Sequence, residues 1–186
     1  MLSNILLDKL PKITPNGFKI QTDYKNVIKF ELLMQDNDID PEMKIALSLQ
    51  LFYDEVVDVE KQINDIIWFY RCGKEVKTSQ NKENNNKIKQ IYSYEFDAGY
   101  IYSAFLEQYN IDLQKSDMHW WKFKALFESL NKNIKIVEIM GYRALDIGQI
   151  KDKEERKYYS KLKKQYELPD MRSDEEKESD FGKLFW

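Results

Sequence analysis

The chain has 186 residues, 42% of them hydrophobic and 14% aromatic, which suits one domain with a real core and excludes a disordered chain. Its 29 basic and 32 acidic residues leave a formal charge of -3, which argues against a strongly basic nucleic-acid binder. No apolar run reaches the roughly 18–20 residues of a membrane span, the start MLSNILLDKLPK lacks the basic segment of a signal peptide, and Cys72 has no second cysteine to pair with, so a soluble cytoplasmic protein is expected.

Residues 1–10 suit a turn or two of helix before Pro11. Thr14, Pro15, Asn16 and Gly17 are strong turn chemistry between two short alternating pieces, which predicts a small β-hairpin that must pack on something to persist. Asp23 is placed to cap a helix reaching about Met34. Asp40 and Pro41 open a second helix, with Ile45, Leu49 and Phe52 on one face. Residues 59–72 read as a third, with Val59, Ile63, Ile66, Ile67 and Tyr70 at helical spacing and Gly73 as its stop. Residues 73–90, rich in Lys and Asn and without periodicity, read as a mobile loop.

Residues 91–96 are aromatic and β-prone and suit a short extended lead-in. Asp97 is then expected to cap the clearest amphipathic helix, in which Ala98, Ile101, Tyr102, Phe105, Leu106 and Tyr109 recur at helical spacing before Asn110 closes it. Ser116 and Asp117 are alternative caps for the next helix, whose buried face is predicted to hold Trp120, Phe123, Phe127 and Leu130. Over 134–145 a helix is favoured over a strand, because the apolar pattern of the β-prone run IKIVEI continues to Ala144 without a turn signal. Gly141 inside that helix costs about 1 kcal/mol relative to Ala and suggests a close helix approach or a kink. A charged last helix is expected over 153–166, carrying Tyr158, Tyr159, Leu162 and Tyr166. The fold class is therefore mainly α: a single-domain bundle of about six to seven helices with a small N-terminal β-hairpin. It spans 1–169 and is followed over 170–186 by a solvated charged tail with an apolar tip, FGKLFW.

Chemistry is hard to place on these residues. One His and one Cys cannot build a zinc site. His119, the single imidazole, sits between Met118 and Trp120, where a packed or hydrogen-bonded structural role is expected. Carboxylates lie in exposed charged runs without a pair placed for acid–base work. No glycine pattern cradles a phosphate. No catalytic, cofactor or metal residue is assigned, and a non-enzymatic protein is expected. The lysines at 74, 77, 82, 87 and 89 lack interleaved aromatics and read as a solvated loop rather than a phosphate-contacting surface. Candidate partner-binding residues are instead aromatic: Trp121, which points about 100° around its helix from Trp120, Trp68 and Phe69 beside the isoleucine face, and Phe181, Leu184, Phe185 and Trp186 as a docking motif at the tail tip. Arg143 is expected to pair with a carboxylate that spacing does not identify.

Several stretches together resemble a known family. They are Asp23-Tyr24 with Lys29-Phe30-Glu31, Trp68-Phe69-Tyr70-Arg71 with Gly73-Lys74, the run 92–109 with Glu95, Phe96 and Asp97, the segment HWWKF at 119–123, and Ile139-Met140-Gly141-Tyr142-Arg143-Ala144. They resemble the bacteriophage gene-product-fifteen family of siphophages and prophages of Gram-positive bacteria, in order over roughly residues 1–169. The resemblance implies a tail-assembly chaperone, non-catalytic, acting in the host bacterial cytoplasm. The partners it implies are the tape-measure protein, the major tail protein and a second tail chaperone, with self-association compatible and a membrane not involved. It carries over no residue-level function, because the shared motifs look structural. The alternatives are a structural tail component retained in the virion and a nucleic-acid-binding phage regulator using the lysine loop.

Overall fold

Aspartates set most of the helix starts. In the computed structural model, which describes residues 5–74 and 90–169, seven α-helices are α1 (Tyr24–Gln35), α2 (Pro41–Phe52), α3 (Val59–Tyr70), α4 (Ala98–Tyr109), α5 (Trp120–Glu128), α6 (Lys135–Ala144) and α7 (Lys153–Gln165). The carboxylates of Asp23, Asp40, Asp58 and Asp152 each accept a backbone N–H from the first turn of α1, α2, α3 and α7, at 2.7, 2.9, 3.1 and 2.7 Å. Each such cap stabilises its helix by about 1 kcal/mol. At the other end of α4, Asn110 adopts the left-handed conformation (φ 53°) and closes the helix, with the Ile111 N–H returning to the Phe105 carbonyl. Residues 134–145 do form a helix, and Gly141 meets no neighbour within 4 Å of where a Cβ would stand, so it marks no close helix approach.

The N-terminal β-hairpin does not form. The Thr14–Gly17 turn is present, yet only an isolated antiparallel bridge, Ile13 to Lys19, joins its arms. The turn is held from below instead. Asp65 of α3, buried at 2% exposure, accepts from Thr14 Oγ1 at 2.5 Å and from Asn16 Nδ2 at 2.9 Å. Two short arms offer too few ladder bonds to outweigh that side-chain docking. Residues 5–7 form a turn rather than a helix. Residues 75–89, most of the expected mobile loop, and the tail 170–186 with Phe181, Leu184, Phe185 and Trp186 lie outside the described residues.

Packing follows two groups that meet on α5. α1 lies on α2 and α5, and α2 on α3; α4 lies on α6, and α6 on α7. The joint is Phe123 of α5, fully buried, which stacks on Tyr24 of α1 (centroids 4.6 Å, planes 7° apart) and on Phe105 of α4 (4.8 Å, 8°). Trp120, Phe127, Ile66, Phe52 and Phe69 extend one continuous buried cluster around it. Each fully buried side chain of this size contributes about 1.5–3 kcal/mol through loss of apolar surface to water.

Candidate functional site: an aromatic groove between two helices

α1 and α4 both rest on Phe123, and the space between them is an open groove of about 650 Å³. Its floor and walls are Tyr24, Ile28, Tyr94, Ile101, Tyr102 and Phe123, with Ala98 and Gly99 at the start of α4 along one edge. Two of the three phenols that line it, those of Tyr24 and Tyr102, are already engaged. Tyr24 Oη donates to the Leu113 carbonyl at 2.6 Å, and Tyr102 Oη donates to Asp112 Oδ1 at 3.2 Å. Burial, reinforced by Asp23, pushes the Tyr24 hydroxyl up to about 12, so it remains a neutral donor. The groove thus offers ring faces rather than free polar atoms. Its rim carries Lys25 and Lys29, one turn apart on α1. Lys25 pairs across 3.7 Å with Asp117, which is almost wholly in water, and Lys29 has no ion pair among the described residues.

The aromatic residues singled out from the sequence occupy a different place. Trp121 was expected at the edge of α5 as a contact anchor and is instead buried, at 3% exposure. Its indole N–H donates to the Phe69 carbonyl at 2.9 Å, and the Trp120 indole donates to the Tyr70 carbonyl at 2.9 Å. The tandem tryptophans thereby satisfy the last carbonyls of α3, which have no partner inside their own helix. Phe69 is fully buried as well, against Trp121, Phe52 and His119. Trp68 is half-buried, edge-on to Trp121. In the folded chain Trp121 and Phe69 are core residues, at 3% and 0% exposure. Gly73, at φ 72°, is needed here: a Cβ would stand 3.1 Å from the Trp121 ring.

His119, rather than Ser116 or Asp117, caps α5. Its Nδ1 accepts the Trp121 backbone N–H at 3.1 Å, while Nε2–H donates to the Pro11 carbonyl at 2.9 Å. The bond to Nδ1 requires the neutral ring, and burial holds its pKa below the ordinary histidine value although the Pro11 carbonyl favours the proton. Burial also pushes the Cys72 thiol up to about 11, so it is a poor nucleophile. Arg143 finds its carboxylate in Asp97: Nη1 and Nη2 reach the two carboxylate oxygens at 2.6 and 3.0 Å. Asp97 therefore serves this pair and accepts from Ser93 N–H, and it makes no side-chain cap on α4. Among the described residues no group of His, Cys, Asp and Glu is placed to hold a metal ion, and no helix is long and apolar enough to cross a membrane.

The family described as Bacteriophage Gp15 protein matches residues 6–168. The chain belongs to the bacteriophage Gp15 family. No curated protein and no solved structure matches it. The matched span of this Gp15-family chain takes in every described helix, the tandem tryptophans, the Asp97–Arg143 pair and the whole of the groove.

The groove was not legible in the sequence. Ile101, Tyr102 and Phe123 each read as core-facing positions, and helical spacing says nothing of a gap left between two helices. Lys25 and Lys29, four residues apart beside Tyr24 and Ile28, were its only written trace.

Proposed function

We propose that this Gp15-family chain is a non-catalytic tail-assembly chaperone that acts in the host bacterial cytoplasm and holds apolar helical segments of the tape-measure protein. The observation that carries this reading is the groove. An open, aromatic-floored channel between two helices suits the apolar face of an amphipathic helix, with anchors one turn apart. Its ring faces take aliphatic and aromatic side chains without demanding particular hydrogen bonds, which fits a client whose apolar positions vary along its length. Family membership supplies the phage setting, and the resemblance to tail-morphogenesis proteins supplies the client.

The test is co-expression with the tape-measure protein. Soluble, co-purifying tape measure is expected with this chain and aggregated tape measure without it. Ala98→Glu, which puts a charge at the groove edge where a helix first turn tolerates an acid, is expected to reduce co-purification at least tenfold and leave the melting temperature unchanged. A tape measure equally soluble and unassociated in the presence and absence of the chain sinks the proposal. Mass spectrometry of purified virions separates a chaperone, which is released, from a retained tail component.

A further inference from the structure

We infer that the groove between α1 and α4 is the docking site for the apolar tip of the same chain, Phe181, Leu184, Phe185 and Trp186, which occupies it until a client helix displaces it. The inference deepens the chaperone reading and rests on that reading for the identity of the competing client.

Three observations converge on this occupant. The first is where the described chain ends. Arg143 Nε donates to the Tyr166 carbonyl at 2.6 Å, and the same guanidinium grips Asp97 at 2.6 and 3.0 Å. Asp97 directly precedes Ala98 and Gly99 on the groove edge. The last turn of α7 is thus anchored beside the first turn of α4, and the chain from Tyr166 to Phe181 covers at most about 50 Å when extended. The groove edge at Ala98 and Gly99 adjoins that anchor, so the tether is long enough to bring the tip to it. The second is charge. Over residues 170–180 the stretch leading to the tip carries Asp170, Asp174, Glu175, Glu176, Glu178 and Asp180 against Arg172 and Lys177. The rim it would pass carries Lys29, without an ion pair among the described residues, and Lys25, which pairs with a solvated aspartate and lies over the Tyr24 ring. The third is shape and chemistry. A cavity of about 650 Å³ walled by Tyr24, Tyr94, Tyr102 and Phe123 takes bulky rings, and the tip supplies two phenylalanines and a tryptophan.

The experiment uses the full chain with a photo-reactive phenylalanine analogue at position 185. Irradiation is expected to give a monomer-mass product joined to peptides containing residues 24–29 or 98–102. The Ala98→Glu variant, and separately Lys25→Glu with Lys29→Glu, should reduce that product at least fivefold. In parallel, a labelled peptide of residues 173–186 is titrated against two full chains, native and with Phe181→Ser and Trp186→Ser. The peptide is expected to bind the second at least tenfold more tightly, because its own tip no longer competes. Cross-links elsewhere, cross-links only in a double-mass product (a second copy as occupant), or equal peptide affinity for the two chains would each overturn the inference. Tape measure that co-purifies equally with native and tip-substituted chains, with no groove cross-link, removes self-docking and leaves the chaperone reading standing. A groove cross-link in a chain that never retains tape measure does the reverse.

Discussion

His119 and Trp121 show how one dipeptide neighbourhood decides both a local geometry and a pH response. Nδ1 of His119 is an acceptor for the Trp121 N–H and Nε2–H a donor to Pro11. Protonation turns Nδ1 into a donor and breaks the cap, and Lys12 nearby further opposes the charge. The folded pKa lies below the unfolded value, so the unfolded state binds the proton more readily and stability falls as pH drops below about 6.5. Thermal melts between pH 7.5 and 5 are expected to show this loss. His119→Asn, which keeps a capping acceptor, should flatten the slope over that window, and an unchanged slope would assign the loss to other groups. For Trp121, burial makes the outcome of truncation structural. Trp121→Ala removes packing against Phe69 and Trp68 together with the bond to the Phe69 carbonyl, at a cost of about 3–5 kcal/mol. A large fall in melting temperature is expected; a stable variant that loses only partner binding would restore Trp121 as a contact residue. Gln62 is the complementary case of a polar side chain with a structural role. Its Oε1 accepts from Val57 and Asp58 N–H at 2.8 and 3.0 Å and its Nε2 donates to the Glu55 carbonyl at 3.0 Å, so one buried amide shapes the α2–α3 connection.

The two glycines near helix ends and interiors behave in opposite ways, for reasons visible only once the helices are placed. Gly141 lies mid-helix in α6, exposed, with no neighbour near its missing Cβ. Gly141→Ala is expected to stabilise the chain by about 1 kcal/mol through reduced backbone entropy in the unfolded state, raising the melting temperature by roughly 2–4 °C for a chain of this size. Gly73→Ala meets both a left-handed φ of 72° and the Trp121 ring at 3.1 Å, and should lower it. Differential scanning calorimetry of the two variants checks the pair; shifts of the same sign would contradict the geometry. Helix positions were largely legible because aspartate caps and apolar spacing are local signals: Asp23, Asp40 with Pro41, Asn110 and Gly73 each mark an end where the structure has one. Burial was less legible. Ile45, Val59 and Ile67 share the helical pattern yet remain 44%, 50% and 38% exposed, while Gln62 and Asp65 are buried. Polar residues default to water unless their partners are known, and the partner of Asp65 is Thr14, far away in the chain. The hairpin failed for the same reason: the turn chemistry was right, and what received the turn was tertiary.

Across the whole molecule, the buried Asp97–Arg143 pair ties together pieces that share no local signal. Arg143 of α6 holds the start of α4 through Asp97, the chain at Ile91 through its carbonyl at 3.0 Å, and the end of α7 through the Tyr166 carbonyl at 2.6 Å. α7 has no buried residue of its own and otherwise meets α6 through Tyr142, Tyr159 and Tyr166, the Lys135 ammonium over the Tyr166 ring, and Lys163 Nζ donating to the Leu145 carbonyl. Removing one member of a buried pair leaves an uncompensated charge, which costs about 3–5 kcal/mol. Asp97→Asn is accordingly expected to destabilise the chain globally, with Arg143 left charged at 7% side-chain exposure. Arg143→Met has a different signature. It relieves the arginine's desolvation but leaves Asp97 and two carbonyls without their partner, so α7 should lose its attachment before the helices around Phe123 open. Hydrogen exchange resolved by segment is the measurement. Residues 153–166 are expected to lose protection first in Arg143→Met, while α1, α3 and α5 keep theirs. Uniform loss across the chain would mean that α7 belongs to the same cooperative unit as α5, and that the guanidinium fastens it no more firmly than the tyrosine contacts do.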